Sequence, residues 1–133
     1  MPSERVVSTP RGEAGVVMRR ADRPTATVVL THGAGGGIEA RDLLQLARRL
    51  PGQGVNVALV EMPWRRQGAK LAPRPEVIDA CYLAVLDTMR VRTPLVVGGR
   101  SAGRPTGRRH CGPRPRAACG PASCRAPRGS RRR

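Results

Sequence analysis

From Arg104 to Arg133 the chain contains no Val, Ile, Leu, Met, Phe, Trp or Tyr. A segment without large apolar side chains has nothing to bury, and so nothing to offset the entropy lost on ordering. A fold must therefore be built from residues 1–103, and residues 104–133 are expected to form a disordered basic tail. The charge divides at the same point. Residues 1–103 carry 15 Lys and Arg against 9 Asp and Glu, while the last 30 residues add 10 Arg and no acid, so most of the net charge of +16 belongs to the tail. The front part is long enough for one domain with a modest core.

Within that part the apolar pattern alternates between two periods. The runs "RVVST" and "AGVVMRRA", separated by "PRGE", predict a hairpin with Pro10 and Gly12 in its turn. "TATVVLTHGAGGG" is an apolar run emptying into glycines, as a buried central strand does. "RDLLQLARRL" places Leu43, Leu46, Ala47 and Leu50 at helical spacing, with Asp42, Gln45, Arg48 and Arg49 facing away. "VNVALVEMP" predicts a second buried strand, stopped by Pro63. "PEVIDACYLAVLDTMRV" puts Ile78, Cys81, Tyr82, Val85 and Met89 on one stripe, opened by Pro75 and closed by Thr93-Pro94. "PLVVGG" is the next strand. The order, a hairpin followed by β-α-β-α-β, predicts an α/β fold with a mostly parallel sheet covered by helices on both faces.

Two glycine-flanked stretches follow strands. The first, Gly33-Ala34-Gly35, could open a dinucleotide fingerprint. Position 38 is Ile where that pattern needs a third glycine, however, and Glu61 lies too far on to be its ribose-binding acid. No cofactor is expected. The better fit is an oxyanion loop, in which glycines let backbone N–H groups approach developing negative charge. The second stretch, Gly99-Arg100-Ser101-Ala102-Gly103, is a G-x-S-x-G directly after a strand. There a serine sits on a sharp strand-to-helix turn, with its Oγ pushed outward and the N–H of the next residue, Ala102, aimed at the oxyanion.

"VVLTHGAGGG", "EMPWRRQG" continuing to "APRP", and "VVGGRSAG" together resemble a family of small bacterial α/β-hydrolases related to dienelactone hydrolases. Its wider relatives include a testis-expressed animal protein and a subunit of a chromatin acetyltransferase complex. Met62 and Trp64 stand where that family usually has aromatic residues. The resemblance covers residues 1–103. It implies Ser101 as nucleophile, Ala34 and Ala102 as backbone oxyanion donors, His32, Gly33, Gly35, Gly99 and Gly103 as supports of the two loops, and a small acyl compound as substrate.

A hydrolase of this fold also needs an acid and a histidine after the serine. No Asp or Glu follows Ser101, and the only later histidine, His110, lies in a stretch broken by Pro105, Gly107, Gly112, Pro113 and Pro115. His32, inside the oxyanion loop, is better suited to bracing that loop than to accepting the serine proton. The expectation is a truncated α/β-hydrolase fold, serine-nucleophile half only, inactive as it stands.

The tail admits three readings. Ten arginines could bind nucleic acid, but no aromatic residue is present to stack a base. His110, Cys111, Cys119 and Cys124 lack any C-x-x-C pair, so no metal site is expected. Arg, Pro, Gly and Ala make up 23 of the 30 residues, all with GC-rich codons, and this favours a segment read out of frame. Nucleic acid is a partner only if the tail is genuine. With no secretory signal and no membrane-length apolar run in the sequence, the expected compartment is the cytoplasm.

Overall fold

The computed structural model describes residues 2–100; the expectations for Ser101, Ala102, Gly103 and the tail lie outside the described residues. The elements are β1 (Ser3–Thr9), β2 (Gly12–Arg19), β3 (Ala26–Thr31), α1 (Arg41–Arg49), a 3-10 turn (Pro51–Gln53), β4 (Val55–Glu61), α2 (Pro63–Arg66), α3 (Pro75–Asp87) and β5 (Leu95–Gly99). The hairpin turns at Pro10-Arg11, and Gly12 at φ +121° supplies a backbone angle that side-chain-bearing residues rarely adopt.

The five strands form one sheet in the order β1-β2-β4-β3-β5. β1 and β2 pair antiparallel, as do β2 and β4, whereas β4, β3 and β5 run parallel. Alternate residues of β4 separate the two layers of core. Ala58 and Val60 pack with Val16, Val29 and the α3 residues Ile78, Cys81, Tyr82, Val85 and Leu86. Val57 and Leu59 pack on the other face with Leu43 and Ala47 of α1. The expected α/β class, with a mostly parallel sheet and helices on both faces, is what the chain adopts.

Two local departures have physical causes. Leu46 is 42% exposed, and Leu44 packs against the core in its place, beside the expected Leu50. Four apolar positions on a nine-residue helix span more arc than the sheet can cover, and the burial of Leu43 and Ala47 rotates Leu46 outward. The turn α2 was not anticipated; four residues are too few to show a period, although Pro63 at its first position is a favoured start.

β5 has β3 as its neighbour on one side and none on the other among the described residues. Val96, in register with Val28 on the α1 face, is 55% exposed. An open parallel edge with an uncovered Val invites pairing between chains. Val96→Lys is expected to lower concentration-dependent light scattering of the full chain while leaving its circular dichroism unchanged.

Candidate active site

The strand order places the two glycine stretches side by side. From β3 the chain moves to β4 on one side, then crosses back over β3 to reach β5 on the other. Loops at such a reversal diverge and leave a crevice at the carboxyl ends of the strands, where open α/β sheets bind ligands. Thr31 and Gly99 are the last partners in the β3–β5 register, and the Arg100 N–H continues the ladder by donating to the Thr31 carbonyl at 3.1 Å. The loop from His32 and the turn entering Ser101 thus leave the sheet as neighbours.

His32 is 1% exposed and uses both ring nitrogens. Its Nε2 accepts the backbone N–H of Met62 at 3.0 Å. A backbone N–H can only donate, so Nε2 carries no hydrogen; Nδ1 therefore does, and it donates to the Gly33 carbonyl at 2.8 Å. The ring also meets Trp64 edge-on, with centroids 5.3 Å apart and planes at 65°. His32 thereby ties the first turn of the loop to the carboxyl end of β4. Neither nitrogen is left to take a proton from a serine.

Two ion pairs hold the rest of the loop. Glu39 pairs with Arg65 of α2 at 3.3 Å. The Glu39 carboxyl is held below its ordinary value, chiefly by its own backbone N–H, which together with Arg65 outweighs the opposing effect of burial. Asp42, in the first turn of α1, accepts Arg100 Nε at 2.9 Å. Both partners of that pair are about half exposed, so it contributes little to stability, on the order of 0–1 kcal/mol. Its importance is positional, because it joins the residue before Ser101 to the helix that follows the glycine loop.

Of the expected site residues, His32 and Gly33 are buried, Ala34 is half-buried, Gly35 is exposed and Gly99 ends β5. A Cβ built on Gly35 or Gly36 meets no described atom within 4 Å, so the described residues leave open space beside this loop. Ser101, Ala102 and Gly103 follow immediately on Arg100, outside the described residues. The bracing partners Asp42, Glu39, Met62 and Arg65 were not among the site residues expected from the sequence, where Asp42 figured only as an outward position of α1 and Met62 only as a departure from the family pattern. Their pairings are distant in the chain, and no local pattern points to them.

Tyr82 sits beneath the turn. Its hydroxyl lies 3.0 Å from the Val29 carbonyl and 3.2 Å from the Gly98 carbonyl, so its single hydrogen bridges β3 and β5 just before Arg100. Burial pushes its ionisation well above the ordinary tyrosine value. Among the described residues no cluster of metal-ligating side chains occurs, and no helix is long and apolar enough to cross a membrane.

Solved structures share this architecture. A serine hydrolase without lid from Xanthomonas campestris superposes with a TM-score of 0.66 at 18% identity, over 77% of this chain and 51% of that one. An alpha-beta serine hydrolase homologue from Coxiella burnetii gives 0.65 at 16% identity, over 76% and 52%. Est1E from Butyrivibrio proteoclasticus gives 0.63 at 16%, over 75% and 41%. At these identities the likeness is one of fold, and the chain spans about half the length of the first two. No curated protein matches it. The family described as "Alpha/beta hydrolase domain" matches residues 24–112, a span that takes in the glycine loop, both crossover helices and the G-x-S-x-G. That is more than half of the chain, and the chain belongs to the alpha/beta hydrolase domain family.

Proposed function

We propose that the chain carries the nucleophile-and-oxyanion half of a serine hydrolase acting on an ester or related acyl bond, of the dienelactone-hydrolase type. Ser101 Oγ attacks the acyl carbon, and the backbone N–H groups of Ala34 and Ala102 receive the charge that develops on the carbonyl oxygen. The supporting observation is the convergence at one sheet end: the braced loop after β3 and the turn after β5 leave neighbouring strands, tied by Arg100 N–H to Thr31 and by Arg100 to Asp42.

The same reading holds that the chain does not turn over. A serine hydroxyl needs a base to surrender its proton, and loss of triad members costs several orders of magnitude in rate. No acid follows Ser101, and both nitrogens of His32 are engaged within the loop. Hydrolysis of 4-nitrophenyl butyrate by the chain is expected to equal that of Ser101→Ala. The coding DNA past codon 103 is expected to hold, in another frame, an acid and a histidine. A chain continued in that frame should hydrolyse the ester, and Ser101→Ala in it should lose about 10⁴-fold or more of the rate. Absence of such a frame would sink the truncation reading, while turnover insensitive to Ser101→Ala would remove the nucleophile.

A further inference from the structure

A second concavity, of about 500 Å³, opens on the α3 face of the sheet, between the β1–β2 turn, α2 and the start of α3. It lies on the β2–β4 side of the molecule, away from β5, and is formed wholly by described residues. Trp64, Val77 and Cys81 line it, with Arg11, Gln67 and Arg74. No Asp or Glu lines it. Cys81 is 1% exposed and Trp64 8%, so the apolar wall is part of the core, whereas both arginines are exposed.

The two cations stand on anchored backbone. The Gln67 side chain donates to the Arg11 carbonyl at 3.2 Å, fastening the β1–β2 turn to α2. The Arg74 carbonyl accepts the N–H groups of Val77 and Ile78 at 3.0 and 3.2 Å as α3 begins. The volume falls within the range of small-molecule sites, and such sites combine an apolar lining with a few placed polar groups.

We propose that this concavity binds an organic carboxylate with a flat or branched apolar body, the carboxylate on Arg11 and Arg74 and the body against Trp64 and Val77. A guanidinium presents paired N–H donors that match a carboxylate. A singly charged, planar head suits the site better than a phosphate dianion, whose desolvation beside a largely apolar wall costs more. Because Trp64 also meets His32 edge-on, an occupant here touches the residue that packs against the oxyanion loop. None of its lining residues belongs to the proposed reaction, and the site does not rest on it.

The chain has one Trp, so its fluorescence reports this site directly. Titration of the full chain with 4-phenylbutyrate is expected to give a saturable change. Arg11→Gln and Arg74→Gln should each weaken binding about fivefold to tenfold, the loss of one charge-assisted contact at an exposed rim. Both variants should keep the parent's melting temperature, since neither side chain is buried. The neutral isostere 4-phenylbutan-1-ol should bind more weakly than the acid. Equal binding of the alcohol, unchanged affinity in both arginine variants, tighter binding of phenyl phosphate, or no saturable signal would each overturn the proposal. None of these readouts depends on turnover or on Ser101, so failure here and failure of the hydrolase reading are separable.

Discussion

Replacing Tyr82 with alanine is expected to destabilise the protein by about 3–5 kcal/mol, the usual cost of emptying a large aromatic site in a packed core. The ring is fully buried among Val29, Ala58, Val60 and the α3 side chains. Small domains have about 5–15 kcal/mol of net stability in all, so the variant should be largely unfolded at 37 °C. Tyr82→Phe separates the two contributions of the side chain. It keeps the ring and removes only the hydrogen shared by the Val29 and Gly98 carbonyls, for about 1 kcal/mol. Urea unfolding followed by circular dichroism measures both.

The hydroxyl also sets an alkaline limit. Its folded-state ionisation is raised by burial, whereas an unfolded tyrosine ionises near about pH 10. The unfolded chain therefore gives up this proton first. Stability from Tyr82 is fully present below about pH 10 and is lost progressively as the pH rises towards the folded-state value. Tyr82→Phe should flatten that part of the profile, and an unchanged alkaline slope in the variant would contradict the assignment.

His32→Ala is expected to cost about 3 kcal/mol or more, because it combines a cavity with a stranded donor. Met62 is fully buried, and its N–H has His32 Nε2 as its partner among the described residues. The loss should be local before it is global: the turn from Gly33 to Glu39 would detach from the end of β4, and amide exchange there should rise ahead of exchange in β3. His32→Gln offers an acceptor from a different position and should recover part of the loss. Unchanged stability in His32→Ala would contradict the bracing role.

How much of this was legible in the sequence depends on how far apart the interacting residues lie. The hairpin, the three parallel strands and the buried stripe of α3 follow from periods of two and 3.6 that a few residues display, and Tyr82, Cys81 and Val85 lie where that stripe puts them. α1 was legible as a helix, but which of its four apolar positions faces water depends on the width of sheet beneath it, and Leu46 turned outward for that reason. α2 is too short to carry a period. The site divides in the same way. The glycines and the G-x-S-x-G are local patterns, set down by the strand that precedes each. The clasp between His32 and Met62 joins residues 30 apart, and the Arg100–Asp42 pair joins the end of β5 to the first crossover helix, so neither leaves a local trace.

The central claim, that the turn after β5 presents a serine to an oxyanion loop, can be tested on the chain as it exists without any turnover. Full-length protein is incubated with an alkyl fluorophosphonate, digested, and the modification of each serine followed by mass spectrometry over time. Ser101 should be modified about a hundredfold faster than Ser8 or Ser123 of the same chain, the advantage that oxyanion donors confer, and the difference should vanish in urea. Uniform slow labelling of all serines, folded and unfolded alike, would contradict it.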